Sequence, residues 1–245
     1  DQDGVDHLDM EELKSAMVQN KCILGKNIDI VGFDACLMGT IEVGYQLRNT
    51  CDVIISSENI VPGSGWPYQT ILTDLIGNTD IEVTAFASNI VNKYIILYTE
   101  NILYPVEDAT LSAFFVDDIA TQIEPAVDKF AQKLISALPQ WREEILEARD
   151  QAEKYGRTEY AYRDIYDFAI ITYLKISDTD VRTAALDVMN AITNCCINED
   201  HLPDVPESHG ISIYWPSSSG IENSYEDTDF AYDTNWDYLL QVSEA

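Results

Sequence analysis

Asp34 and Cys36 stand two residues apart in "IVGFDACLMGT", where an apolar run ends and the hydrophobic pattern changes period. A cysteine attacks as its thiolate, and a nearby negative charge raises a thiol's pKa. Asp34 therefore makes Cys36 a poorer nucleophile unless a cation neutralises the carboxylate. That cation can belong to a substrate: an Arg or Lys side chain held by Asp34 would bring its neighbouring carbonyl to Cys36. Two plainer readings stand beside this one. Cys36 is inert packing, as cysteines often are, and Asp34 caps the turn through backbone N–H groups.

The elements around the pair favour chemistry. "IDIVGF" is a short apolar run rich in β-branched residues and reads as a buried parallel strand. "GTIEVGYQLRN" reads as the helix after it, and "CDVIISSE" as a second buried strand, so residues 28–58 form a strand–helix–strand unit. Cys36 then lies at the C-terminal end of a strand, where open α/β sheets place ligands and nucleophiles. The helix N-terminus behind it favours a thiolate. The backbone N–H groups of Cys36 and Leu37 are candidates to hold an oxyanion, and Gly39 lets a substrate approach the backbone. Residues two apart on an extended chain share a face, which places Asp34 beside Cys36.

Further candidates lie in "SSENIVPGSGWPY". Ser56, Ser57 and Glu58 end the second strand, beside the nucleophile's, and are expected to line a specificity pocket. Trp66 and Tyr68 are candidates for its walls, since a flat ring packs against a Lys stem or a guanidinium face. The alternative is a loop anchored by its aromatics in the core. Asp164 and Asp167 in "YRDIYDF" read as helix-capping or solvated acids.

A base is missing. His7 lies in a loose N-terminal stretch, His201 in a Pro/Asp loop, and His209 precedes a strand. None follows the end of an earlier strand, where a catalytic histidine would face Cys36. If Cys36 is catalytic, its histidine lies outside this chain.

Along the rest of the chain, "DQDGVD" loosely echoes the start of a calcium loop, but Glu12, the closing position, already sits in a helix pattern begun at Asp9. Calcium is thus an open possibility and no other cofactor is indicated. "TILTDLIGN" and "DIEVTAFASNIVNKYIILYT" read as helices and "ATLSAFFVD" as a third strand. From Asp117 to about Asn198 the pattern is helical, with Pro125 kinking one long segment or starting a second helix. "HGISIYWPSS" reads as a strand closed by Pro216, and the aromatic, acidic tail ends in a short helix. The expected division is a core over 1–116, a helical subdomain over 117–203, and a return to the core over 204–245.

The 245 residues carry 43 acids against 14 bases, a net charge of −29. This argues against nucleic acid and anionic membrane as partners and favours cationic ones. Five cysteines without CxxC spacing suit neither a zinc site nor a disulfide framework.

"VGFDACLMGTIEVGYQL", "SSENIVPGSGWPY", "HGISIYWP" and "FAYDTNWDYLL", in that order through nearly the whole chain, resemble the clostripain family of cysteine peptidases, of the caspase–gingipain–legumain group. The resemblance implies a caspase-like α/β/α sandwich with a mainly parallel sheet, a Cys–His dyad, and cleavage after Arg or Lys. It puts the nucleophile on Cys36 and the specificity acid on Asp34. The family's histidine lies upstream of the D-A-C block, and members are commonly cut into a light chain carrying it and a heavy chain carrying the cysteine. The resemblance thus implies an autoprocessed heavy chain starting at Asp1. Its partner would be a light chain that supplies the histidine and the first sheet strands, and its location secreted or cell-envelope in a bacterium. The rival readings are a catalytically inactive acidic module that binds basic peptides, and a different α/β thiol enzyme.

Overall fold

A computed structural model of the chain describes residues 8–100, 105–156, 162–216 and 220–243. Helix α1 (Met10–Leu24) starts at a capping box. Asp9 accepts the Glu12 N–H at 2.8 Å and Glu12 accepts the Asp9 N–H at 3.2 Å, and Gly25 closes the helix at φ 69°. Glu12 is thereby committed to the helix start. The rest of the calcium-loop echo lies outside the described residues, among which no group of three or more His, Cys, Asp or Glu side chains could hold a metal.

Strand β1 (Ile28–Gly32) follows, then α2 (Ile41–Gln46), capped by Thr40 on the Val43 N–H, and β2 (Cys51–Ser56). β1 and β2 pair in parallel, Ile28 opposite Cys51 and Gly32 opposite Ile55. The strand–helix–strand expectation over 28–58 is met. Helices α3 (Tyr68–Gly77) and α4 (Val83–Thr99) lead to β3 (Thr110–Phe115), which pairs antiparallel with β2. A short α5 (Val116–Asp118) and a π-helical stretch (Ile119–Ile123) run into α6 (Glu124–Gln151). Pro125 sits in the first turn of α6, directly after the π-helical stretch, and the kink falls instead at Trp141, two residues past Pro139.

After α6 come β4 (Lys154–Tyr155), β5 (Tyr162–Asp164), α7 (Ile165–Lys175), α8 (Thr179–Cys195) and β6 (Cys196–His201). These strands correct the all-helical reading of this stretch. β6 pairs antiparallel with β3 at the far edge of the main sheet, order β1-β2-β3-β6. "CINEDH" shows no apolar run because an edge strand tolerates polar side chains, and α8 runs straight into it. β7 (Ser212–Tyr214) completes a small antiparallel sheet with β5 and β4, and a parallel bridge joins Ser212 to Thr40. Short helices α9 (Asn223–Glu226), α10 (Asp229–Asp233) and α11 (Trp236–Ser243) close the fold.

The mixed main sheet is covered on both faces, giving the α/β/α sandwich. Alternation along β2 divides the core: Val53 and Ile55 pack with Ile71, Ile90 and Tyr94 under α3 and α4, while Ile54 packs with Ile41, Phe114 and Ile119 on the other face. β1 forms the other edge of the sheet. Its Ile28, Ile30 and Val31 are only half-buried although apolar.

Candidate active site

β1 delivers Phe33, whose N–H reaches the Ile55 carbonyl at 2.9 Å, and the chain then leaves the sheet in a turn over 34–39. Asp34 and Cys36 are both exposed on it. They do not contact each other but both engage the loop after β2. Asp34 Oδ2 accepts the Trp66 N–H at 3.2 Å and the Tyr68 hydroxyl at 2.9 Å. Cys36 Sγ accepts the Val61 N–H at 3.3 Å.

Close approach fixes this geometry. A Cβ on Gly65, which sits at φ 63°, would fall 2.6 Å from Asp34 Oδ2. A Cβ on Gly32 would fall 2.7 Å from the Trp66 ring. Trp66 is buried in the core beneath α3, which is the anchoring role rather than a pocket wall. Tyr68 stacks on its outer side, ring centroids 6.4 Å apart, and is 53% exposed. Tyr68 thus stands where a wall was expected and Trp66 beneath it.

From below, the Tyr98 hydroxyl donates to the Gly65 carbonyl at 2.8 Å. The Tyr94 hydroxyl is buried without a hydrogen-bond partner among the described residues, and its pKa is raised first by burial and then by the charges of Tyr98, Asp34 and Cys36.

The turn itself is pinned to the end of β2. Leu37 adopts φ 61°, unusual for a branched side chain, and donates its N–H to the Asn59 carbonyl at 3.2 Å. That corrects its expected part in an oxyanion site: the donor is already used, which leaves the Cys36 N–H as the candidate. Gly39 is buried and donates to the Ser57 carbonyl at 2.8 Å, and a Cβ there would lie 2.7 Å from the Glu58 nitrogen. Its smallness serves packing against β2, not substrate approach. Thr40 caps α2, and no bond from the first turn of α2 to Sγ is seen among the described residues.

Ser56, Ser57 and Glu58 are brought beneath the turn but not into an open pocket. All three are buried. The Ser57 hydroxyl lies 3.0 Å from both the Asn59 carbonyl and the Thr110 hydroxyl. Glu58 Oε2 accepts the Ser208 hydroxyl at 2.6 Å and the Gly210 N–H at 2.9 Å, and burial, followed by the Asp164 charge, raises its pKa well above the usual range. Thr110, Ser208 and Ser212 were not anticipated. Ser212 holds the Gly39 carbonyl through its N–H at 2.9 Å and its hydroxyl at 3.1 Å, across 173 residues of sequence. The only hint was their place in or beside runs already read as strands.

The histidines lie elsewhere. His7 is outside the described residues. His201 Nδ1 faces Glu199 at 3.4 Å. His209 stacks on Tyr166 at 4.2 Å, with Nδ1 2.8 Å from the Glu207 carbonyl and 3.4 Å from Asp164. Burial works to lower its pKa, but the bond and charge of Asp164 raise it overall. Among the described residues neither imidazole touches Cys36. Asp164 caps α7 on the Asp167 N–H at 2.7 Å, as expected, and is fully buried rather than solvated.

The sequence profile of the clostripain family matches residues 1–242. Clostripain from Hathewaya histolytica is 41% identical over 51 residues, which span 19% of this chain and 10% of that protein. A B. fragilis cysteine protease superposes with a TM-score of 0.66 at 20% identity, over 96% of this chain and 98% of that one. A clostripain from Bacteroides thetaiotaomicron, solved with the peptide inhibitor BTN-VLTK-AOMK, superposes at 0.59 with 18% identity, over 92% of this chain and 94% of that one.

Proposed function

Because the chain belongs to the clostripain family of cysteine peptidases, we propose that it is the heavy chain of an endopeptidase that cuts after Lys or Arg, with Cys36 as nucleophile. The observation that carries this reading is the convergence of Asp34 and Cys36 on one loop, residues 61–68. Asp34 Oδ2 is aimed by two donors, and a carboxylate has further lone pairs for a substrate ammonium or guanidinium. Tyr68, exposed beside it, offers a ring face to the stem of that side chain. The bound residue's carbonyl then meets Cys36 Sγ, and the Cys36 N–H stabilises the oxyanion. The inhibitor of the Bacteroides thetaiotaomicron relative ends its peptide in K, which agrees with a basic residue at that point.

The histidine comes from a segment outside these 245 residues. β1 supports this, since its outer edge is unpaired among the described residues and its apolar side chains are half-buried. An apolar edge strand presents a row of unpaired N–H and C=O groups that another strand can cover. A further strand beside β1 would end next to the turn of Cys36, where a proton acceptor is needed.

That no imidazole among the described residues lies against Cys36 also favours a second reading, an inactive module that holds basic peptides at Asp34. A lysine-based acyloxymethyl ketone separates the two on the complete protein. Stoichiometric labelling, lost in Cys36→Ala, supports the peptidase. Lysine-peptide binding with no labelling supports the module. Asp34→Asn should weaken the basic side chain by about 1.5–3 kcal/mol in either case.

A further inference from the structure

A cleft of about 850 Å³ opens between the start of α1, the start of α2 and the 222–228 segment. Leu37 and Met38, from the turn that presents Cys36, form part of its wall, together with Tyr162, Tyr214 and Tyr225. Glu42 also lines it and is only 6% exposed. Its Oε1 accepts the Tyr214 N–H at 3.0 Å, but among the described residues its Oε2 has no hydrogen-bond partner. The Tyr225 hydroxyl, equally buried, has none either.

An ionised buried carboxylate with one oxygen unsatisfied is strongly disfavoured. Burial, the largest influence, accordingly pushes Glu42 up to about 7. The cleft adds no compensating base: the other charged residues lining it are the carboxylates Asp9, Glu11, Glu222 and Asp227. Two of these are already occupied, Asp9 by the Glu12 N–H and Glu11 by Gln46 at 2.9 Å. Glu42 is the carboxylate held within the wall and left half-bonded.

We propose that this cleft binds an organic monocation with an apolar stem, the chemistry of an Arg or Lys side chain, with Glu42 as its counter-charge. The field excludes anions. A hydrated divalent metal demands six or more oxygen ligands, and among the described residues no group of three or more His, Cys, Asp or Glu side chains could hold one. Aromatic faces and aliphatic walls suit the stem and head of a basic side chain. The inference is independent of the peptidase reading and of Asp34.

The test uses the complete protein carrying Asp34→Asn and Cys36→Ala, so that the proposed peptidase site contributes nothing. Calorimetry with agmatine tests a free guanidinium, and acetyl-Ala-Arg-Ala-amide tests the same group on a peptide. Binding of at least one is expected, and which one binds identifies the source. Glu42→Gln should weaken it at least tenfold, since a charge-assisted bond is lost. The Gln carbonyl still accepts the Tyr214 N–H, so the fold is kept. At pH 6 binding should release protons, read as a dependence of the heat on buffer ionisation. Should Glu42→Gln fail to fold, Tyr225→Phe, which removes only a hydroxyl, should weaken binding severalfold. No binding of either probe, undiminished binding in the folded Glu42→Gln or in Tyr225→Phe, or equal binding of uncharged pentanamide would overturn the proposal.

Discussion

The Tyr68 hydroxyl donates to Asp34 Oδ2 across 2.9 Å, so the first residue of α3 fixes the carboxylate at the end of β1. The tyrosine is neutral and leaves the carboxylate's charge for a cation. Its contribution is aim. Tyr68→Phe keeps the ring and loses the donor. KM for a lysine substrate should rise by about threefold to tenfold, in line with one hydrogen bond of roughly 1 kcal/mol, with kcat nearly unchanged. Steady-state kinetics on matched lysine and neutral substrates checks this, and an equal loss on both would remove Tyr68 from the specificity site.

Two glycines should respond differently. Gly65→Ala adds strain at φ 63° and drives a methyl into Asp34 Oδ2, so selectivity for basic residues should fall sharply with a destabilisation of about 1–2 kcal/mol. Gly39→Ala puts its methyl against the backbone of Ser57 and Glu58, which cannot swing aside. It should cost more than about 2 kcal/mol and all activity together. Thermal melts beside substrate profiles distinguish the two patterns.

Stability should peak at mildly acid pH. Burial first, and the nearby acid Asp164 as well for Glu58 and Asp167, raise the folded pKa values: Glu42 to about 7, Asp167 to about 6 and Glu58 well above its usual value. These groups bind protons more tightly when folded. Their contribution is complete below the unfolded values near 4 and is lost progressively as pH rises from there through the folded values of 6 to 7. Asp229 runs the other way: burial works upward, but bonds to Lys14 and Arg48 hold it below its usual value, so its contribution fades as pH falls through that lowered value. Melting temperature should therefore be highest near about pH 4 and decline toward 7. Glu42→Gln should flatten that decline by on the order of 3 kcal/mol. A rise in melting temperature from pH 5 to 7 would show that these carboxyls ionise freely in the fold.

The 245-residue chain expressed alone should be inactive and prone to self-association, since β1 offers an open, apolar sheet edge. Adding the upstream segment should restore cleavage and monodispersity, read by activity and light scattering. Full activity from the isolated chain would return His7, His201 or His209 to consideration as the base.

Much of the scaffold was legible in residue order. The β-branched runs of β1 and β2 and the helical period between them are local signals, because burial on both faces writes itself into consecutive side chains. The acid two residues before the thiol at a strand end is equally local. β6 escaped because an edge strand needs no apolar run. The role of Glu58 escaped too: a carboxylate at a strand end reads as a pocket acid, and only folding brings Ser208 and Gly210, some 150 residues on, over its Oε2.

The sequence by itself determined the candidate cysteine, its acidic neighbour and the α/β frame, since each depends on contacts or periodicities within a few residues. Tertiary structure alone decided that Trp66 anchors while Tyr68 faces out, that Leu37 has already used its N–H, and that Glu42 is buried with one oxygen unpaired. Those outcomes depend on which backbone and side-chain atoms arrive from distant segments. Hydrogen bonding saturates donors and acceptors one partner at a time, and the partner's identity is not encoded beside either residue.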